Sequence, residues 1–69
     1  MTRIATQISE RQLEILELVA EGMTNQEIGD KLFLSVGSVA MTLRILYRQI
    51  GANDRAHAVY LALKAGVMT

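Results

Sequence analysis

The strongest constraint on the fold is a series of helix start and stop signals that divides this short chain into four segments. Helix starts are predicted at residues whose side-chain oxygen can accept a hydrogen bond from the first turn, namely Ser9, Thr24, Ser35 and Asp54. Helix stops are predicted at glycines that can adopt a left-handed conformation, namely Gly22, Gly51 and Gly66. The first two starts also carry Gln12 or Glu27 three residues later, which is the spacing of a capping box.

Apolar residues recur three or four positions apart within these segments, which indicates helices packed around one core. The first helix places four glutamates on one narrow stripe and apolar side chains around most of its circumference, so it must be buried on more than one side. No segment alternates as a strand would, and the chain contains no proline. The sequence therefore predicts an all-α fold, a compact four-helix domain that contains a helix-turn-helix.

The second predicted helix runs from Asn25 to Leu32 and contains Gly29 on its inner side. A glycine within a helix costs about 1 kcal/mol relative to alanine, so we expect another helix to approach closely there. The third predicted helix has about fifteen residues and a length of roughly 22 Å. Its inward residues are Val39, Leu43, Leu46 and Ile50. Its outward residues are Gly37, Ala40, Met41, Arg44, Ile45 and Arg48, and Val36 and Tyr47 are also assigned to the displayed face.

The fourth predicted helix extends from about Arg55 to Ala65 and has two apolar sides. The predicted core side consists of Ala58, Val59, Ala62 and Leu63. The opposite side consists of His57, Tyr60, Leu61 and Lys64. Tyr60 and Leu61 then have no evident partner within the domain, which is how the contact surface of a dimer would look.

The length of the chain favours a small domain that dimerises, and its charges are unevenly distributed. A core of 69 residues supplies only about 3–5 kcal/mol of net stability, and no cysteine is present to add a disulfide, so we expect dimerisation. The net charge is zero, but residues 1 to 30 hold two arginines and six acidic residues, whereas residues 31 to 69 hold five basic residues and one aspartate. Such a chain can turn its basic half toward phosphate, although its overall pI gives no support for nucleic-acid binding.

Other functional classes receive little support. His57 stands alone, without the cysteines or carboxylates of a metal site, and the serines Ser9, Ser35 and Ser38 occupy helix-start positions, so we expect no enzyme, metal or cofactor. Residues 1 to 7 lack a hydrophobic period and are predicted to form a flexible arm, with residues 8 to 69 as the domain. Without an apolar leader or membrane-length run, a soluble cytoplasmic protein is expected.

Four blocks of sequence carry a resemblance to a known family: SERQLEILELVAEG from Ser9, TNQEIG from Thr24, LSVGSV from Leu34 and RAHAV from Arg55. Together they resemble the LuxR/FixJ/GerE class of DNA-binding domain, over Ile8 to Val67. The resemblance implies that the third helix enters the major groove of double-stranded DNA. It further implies that the fourth helix forms the dimer contact on a two-fold DNA site.

The resemblance also assigns site residues. The base-reading positions of the family fall on Ala40, Met41 and Arg44, and its phosphate contacts on the second helix fall on Thr24, Asn25 and Gln26. Arg48 and Arg55 complete the predicted phosphate contacts. This chain departs from the family where lysine is usual, at Gln26, Ala40 and Gln49, and where histidine is usual, at Thr42.

Two functions are compatible with this face. The first is a transcriptional regulator that binds DNA as a homodimer, with Arg44 as the base reader. The second is a small LuxR-like interaction module that binds and blocks another regulator, because the displayed face is more apolar than basic. Met41 and Ile45 fit thymine methyl groups, a protein partner or an ordinary surface equally well. RNA polymerase is a further candidate partner, through the glutamates of the first helix.

Overall fold

The computed structural model describes residues 7–68, and within that range the chain forms four α-helices. They are α1 (Glu10–Ala20), α2 (Asn25–Leu32), α3 (Val36–Ile50) and α4 (Arg55–Lys64). No strand occurs between residues 7 and 68, so the prediction of an all-α, four-helix fold is confirmed. The predicted arm at residues 1 to 7 lies, apart from Gln7, outside the described residues.

Every predicted N-cap residue caps its helix. Ser9, Thr24, Ser35 and Asp54 each accept a hydrogen bond from the backbone N–H three residues later, at 2.8–3.1 Å. The two predicted capping boxes are complete, because the side chains of Gln12 and Glu27 accept hydrogen bonds from the cap backbone at 2.9 and 2.8 Å. Each helix therefore begins at the predicted residue, because its orphan N–H groups find a partner there.

The predicted glycine stops are also present. At the end of α1, Gly22 has a φ of 89°, and the N–H of Met23 donates to the carbonyl of Leu18 at 3.1 Å. This is the hydrogen bond of a Schellman motif, which satisfies a carbonyl that the helix leaves open. Gly51 and Gly66 close α3 and α4 in the same left-handed conformation. α4 ends at Lys64, one residue before the predicted end.

The core lies where α3 packs against the other three helices. Its buried members are Ile15, Leu16, Leu18, Val19, Ile28, Val39, Leu43, Leu46, Ala58, Ala62 and Met68. Four residues of α1 are buried, and α1 packs against α2, α3 and α4. The sequence did not predict Met68, which follows the left-handed turn at Gly66 and is buried near Ala20 of α1 and Leu63.

The predicted core side of α4 is partly wrong. Ala58 and Ala62 are fully buried and the half-buried Val59 packs against the core, as predicted, but Leu63 is 47% exposed. α4 presents its two alanines, one turn apart, and part of Val59 to the core. Each following residue is rotated by about 100°, which moves Leu63 to the rim of the core. Leu63 is therefore a surface residue, next to Glu17 and Ala20 of α1.

The close approach at Gly29 comes from the turn and not from another helix, which corrects the prediction. A Cβ at Gly29 would lie 2.5 Å from the carbonyl oxygen of Leu34. The N–H of Leu34 also donates to the carbonyl of Gly29 at 2.8 Å. Between them, Phe33 has a left-handed φ of 61° and is 94% exposed. Gly29 thus lets the α2–α3 turn fold tightly against α2, which sets the position of α3.

Candidate nucleic-acid interface

α3 exposes one side over most of its length. Met41, Arg44, Ile45 and Arg48 are exposed, whereas Val39, Leu43 and Leu46 are buried on the opposite side. Members of each set lie three or four residues apart, which places them on the same face of a helix. Ala40, predicted to face outward, is half-buried. The N-terminal half of α3 therefore presents small and apolar groups, and the two arginines lie toward its C-terminal end.

Tyr47 does not belong to the displayed face, which corrects the prediction. It packs against the core, and its hydroxyl oxygen is buried with no hydrogen-bond partner among residues 7–68. Burial raises the pKa of Tyr47 above its ordinary value of 10.0, because the phenolate loses solvation. The charge of Arg55 lowers that pKa and the charge of Asp54 raises it, both by less than burial does. Tyr47 is thus a half-buried residue that packs against the core and whose buried hydroxyl has no partner among residues 7–68.

The exposed apolar groups near the helix-turn-helix are large. Phe33 projects from the turn, Val36 begins α3, and Met41 and Ile45 are 51% and 47% exposed. Most protein surfaces contain scattered apolar residues. Here four of them belong to the turn and to the exposed side of one helix. This surface is suited to contact with the methyl groups and sugars of DNA, or with an apolar protein surface.

The first residues of α2, which precede the turn and α3 in the sequence, present polar groups. The Thr24 hydroxyl caps the helix by accepting from the N–H of Glu27, so its own hydrogen remains available to an acceptor. The amide of Gln26 donates to Asp30 at 3.0 Å within the helix. Asn25 accepts a hydrogen bond from Arg55. α2 therefore begins with hydroxyl and amide donors, and not with the charge that the family's lysine would supply at Gln26.

Arg55 joins α4 to the start of α2. Its Nη1 donates to Oδ1 of Asn25 at 2.9 Å, and its Nη2 donates to the carbonyl of Met23 at 2.9 Å. The guanidinium is half-buried, unlike those of Arg44 and Arg48. Its predicted contact with phosphate is not tested and stays a prediction. The structure adds an intramolecular role that no spacing rule indicates, because the partners are about thirty residues apart.

The outer side of α4 is more mixed than predicted. Tyr60 is 55% exposed, and Lys64 is exposed with its Nζ 5.9 Å from the centre of the Tyr60 ring. His57 stacks near that ring, with centroids 6.5 Å apart, and its Nδ1 accepts from the N–H of Asn53 at 3.0 Å. Leu61 is half-buried, so it contributes less apolar surface than the prediction assumed.

The acidic residues lie along one side of α1, whereas Arg44 and Arg48 belong to α3. Glu10, Glu14, Glu17 and Glu21 are exposed, and Arg11 pairs with Glu14 at 3.5 Å. An open cleft of about 300 Å³ runs between this helix and the exposed Leu63. The charge asymmetry of the sequence is thus carried by separate helices.

Residues 7–68 also bear on metal binding and on membrane insertion. No cluster of three histidine, cysteine, aspartate or glutamate residues there is placed to hold a metal ion. No helix in that range combines the length and the apolar character needed to cross a membrane.

The four helices and the tight turn after α2 define a helix-turn-helix domain, and comparison with known proteins identifies its family. Residues 6–62 match the family described as bacterial regulatory proteins, luxR family. The chain belongs to this family of transcriptional regulators with a LuxR-type DNA-binding domain, as the resemblance in the sequence indicated.

Individual relatives are regulators of bacteria. The chain is 33% identical over 67 residues to the transcriptional regulatory protein YdfI of Bacillus subtilis, and 38% identical over 55 residues to LiaR of the same organism. It is 40% identical over 57 residues to the oxygen regulatory protein NreC of Staphylococcus aureus. These matches cover 97%, 80% and 83% of this chain, but only 32%, 26% and 26% of the relatives. The chain thus corresponds to about a third or less of their length.

The structure gathers the predicted site residues into two groups. Met41, Arg44 and Arg48 share the exposed side of α3, while Thr24, Asn25 and Gln26 form the start of α2, which Arg55 contacts. The sequence missed the link between Arg55 and Asn25, and it missed the exposure of Leu63. Hydrophobic periodicity and capping residues describe each helix separately. They carry no information on which side chains meet between helices that are distant in sequence.

Proposed function

We propose that this chain is a transcriptional regulator that binds double-stranded DNA sequence-specifically, as a homodimer, with α3 in the major groove. The observation that carries the proposal is the exposed side of α3, where Arg44 and Arg48 stand one helical turn apart without an ion-pair partner among residues 7–68. A helix with this exposure fits the groove, and its arginines reach bases and phosphates. Membership of the luxR family supports the same conclusion.

Within this proposal Arg44 is the principal base reader. A guanidinium can donate two parallel hydrogen bonds to O6 and N7 of guanine, an arrangement that no other base offers. Ala40 and Met41, one turn earlier on the same helix, face the neighbouring base pairs and supply apolar contact, as to a thymine methyl group. Arg44 then fixes one base pair firmly, and the apolar residues select more weakly around it.

The phosphate contacts come from Arg48 on α3 and from Thr24, Asn25 and Gln26 at the start of α2. Arg48 lies one turn after Arg44 and reaches the backbone beside the groove. The α2 residues donate hydrogen bonds without adding charge. Because each neutralised phosphate contributes a slope of about 0.9 to the salt dependence, a chain with few cationic contacts binds modestly as a monomer and depends on pairing of two copies.

The dimer contact is proposed on the outer side of α4, around His57, Tyr60, Leu61 and Lys64. The exposed ring of Tyr60 supports this assignment, since aromatic residues are enriched at protein interfaces. The exposed Leu63 extends the same apolar surface toward α1. Two copies joined here bring two α3 helices to one DNA site.

The test is selection of DNA from a random-sequence library by the purified chain, followed by mobility-shift titration of the selected duplex. Arg44→Ala is expected to weaken binding about 10- to 100-fold and to relax selectivity at one base pair. Arg11→Ala, at an arginine paired with Glu14 on α1, is the matched control and should leave binding unchanged. A library that yields no preferred sequence overturns the proposal, and an unaffected Arg44→Ala variant overturns the reader assignment.

The exposed Phe33, Met41 and Ile45 favour a second candidate function, capture of another LuxR-type regulator by this face. The two candidates differ in whether the unmodified chain binds DNA selectively, and the second candidate makes its own prediction for Met41→Glu. Met41→Glu would abolish capture of a regulator by disrupting an apolar contact, while the chain would show no selective DNA binding before or after the change. Tight, selective DNA binding by the unmodified chain excludes this second candidate.

A further inference from the structure

Arg55 holds the residues on both sides of the α2 N-cap. Its fork donates to the side chain of Asn25, which follows Thr24, and to the backbone carbonyl of Met23, which precedes it. Both hydrogen bonds measure 2.9 Å and are partly buried. Since hydrogen bonds from a charged donor are stronger than those between neutral groups, this fork fixes the first turn of α2 relative to α4.

The same contact determines which end of the Asn25 amide is available to a ligand. An arginine only donates, so the end of the amide that meets it is the carbonyl oxygen Oδ1. The Nδ2 end has no acceptor among residues 7–68. A phosphate oxygen only accepts, so Nδ2 is the end that it requires. Arg55 therefore keeps the Asn25 amide in the orientation that suits a phosphate.

We infer that Arg55 is a positioning residue, which acts on DNA through Asn25 and Met23 instead of touching phosphate itself. This inference rests on the proposed function and replaces the direct contact that the sequence predicts for Arg55. Arg55 is also the first residue of α4, the helix of the proposed dimer contact. One side chain thus joins the helix proposed for dimerisation to the helix proposed for phosphate contact.

Lysine at this position separates the two roles. A lysine keeps the positive charge, but it lacks the planar fork that spans two acceptors. If Arg55 positions α2, Arg55→Lys loses affinity for DNA nearly as much as Arg55→Gln, about tenfold in each case. Arg48→Lys and Arg48→Gln give the comparison at a proposed phosphate contact, where Arg48→Lys should lose much less affinity than Arg48→Gln because a phosphate contact tolerates a point charge.

The decisive experiment is a double-mutant cycle between Arg55 and Asn25. Affinity for a random-sequence duplex is measured by fluorescence anisotropy across a salt series, for Arg55→Gln, Asn25→Ala and the double variant. If Arg55 acts through Asn25, the double variant binds no more weakly than the weaker single variant. The salt slope should also stay unchanged in Arg55→Gln, because no cation leaves the phosphates. The pair Arg48→Gln with Asn25→Ala is the control, and its effects should multiply.

Free protein provides an independent measurement. The side-chain NH₂ resonances of Asn25 should shift in Arg55→Lys and Arg55→Gln, while the backbone resonances of α1 and α3 remain in place and show that the domain is folded. Multiplying effects in the Arg55 and Asn25 cycle, with a salt slope lowered by about 0.9 per chain, would overturn the inference and leave the proposed function standing. An unmodified chain without any DNA binding would overturn both.

Discussion

Nε2 of Gln12 donates a hydrogen bond to Oε1 of Gln49 at 2.8 Å, and this bond joins the first turn of α1 to the end of α3. Gln12 uses both ends of its amide, because its Oε1 also accepts from the N–H of Ser9 at 2.9 Å in the capping box. Gln49 stands where related domains usually have lysine. Its side chain links α1 and α3 in this structure.

Removal of this link should destabilise the domain in proportion to the bonds lost. Gln49→Ala loses one exposed hydrogen bond and should lower the free energy of unfolding by about 0.5–1 kcal/mol. Gln12→Ala also loses half of the capping box and should cost about 1–2 kcal/mol. Urea denaturation measures both. Gln26→Ala is the control, since its hydrogen bond to Asp30 stays within one helix and contributes about 0.3 kcal/mol. An unchanged Gln49→Ala variant would show that the link contributes nothing.

Gly29 should resist substitution, although alanine favours helices. Gly29→Ala gains about 1 kcal/mol of helix propensity but places a Cβ 2.5 Å from the carbonyl oxygen of Leu34, so the turn must move. We expect a net loss of about 1–3 kcal/mol, measured by thermal denaturation. Gly37→Ala is the matched control, because its Cβ would meet only the Ser35 hydroxyl, at 3.9 Å. That variant should be neutral or slightly more stable. An equally stable Gly29→Ala domain would disprove the tight turn.

The substitution Gln26→Lys should increase the affinity for DNA if the proposed interface is correct. Each added phosphate contact raises the salt-dependence slope by about 0.9 per chain, and this increase can be read from affinities at several salt concentrations. Glu14→Gln changes the net charge equally on the exposed side of α1 and serves as the control. Equal slopes for the two variants would place the start of α2 away from DNA.

The helices were predictable because their signals are local. Caps at Ser9 and Thr24 and the turn at Gly22 depend on residues within one helical turn, and each lies where it was predicted. Leu63 was misplaced because which side of a ten-residue helix is buried depends on its neighbours. Ala58, Val59 and Ala62 already form the contact that α4 makes with the core.

For the candidate site, the sequence predicted which α3 residues reach the surface but not which side chains contact each other. The exposed side of α3 follows from its period, so Met41, Arg44 and Arg48 were assigned correctly to the surface. Tyr47 was assigned wrongly, since a tyrosine suits either the surface or the core. The contact of Arg55 with Asn25 depends on the packing of α4 beside α2, which sequence period does not describe.

Tyr47→Phe should stabilise the domain or leave its stability unchanged near neutral pH. The substitution removes a buried hydroxyl without a partner among residues 7–68, a group whose burial costs about 1–3 kcal/mol. Its packing against the core is retained. Tyr60→Phe, at an exposed tyrosine, is the control and should change little. A loss of more than about 1 kcal/mol in Tyr47→Phe would mean that the hydroxyl is bonded in solution, as to a buried water.

The same variant should alter the alkaline stability of the domain. Burial raises the pKa of Tyr47 above 10.0, so folding favours the protonated phenol. The stability gained from this preference is present below pH 10.0, and it is lost as pH rises through the higher pKa of the folded state. Between neutral pH and the highest pH at which the fold survives, Tyr47→Phe should lose less stability than the unmodified chain. Parallel losses in the two proteins would show that Tyr47 does not titrate differently on folding.

Negative charge on the outer side of α4 should separate a dimer. Tyr60 and Leu63 are exposed apolar residues on that helix, and a carboxylate there would be desolvated in the proposed contact. Tyr60→Glu and Leu63→Glu should shift sedimentation equilibrium from dimer to monomer and weaken DNA binding at the same chain concentration. Phe33→Glu changes a still more exposed apolar residue on the turn, outside the proposed contact, and should leave the mass unchanged. If the unmodified chain is a monomer at every concentration that supports selective DNA binding, α4 is not a dimer contact, and one α3 must recognise the site alone.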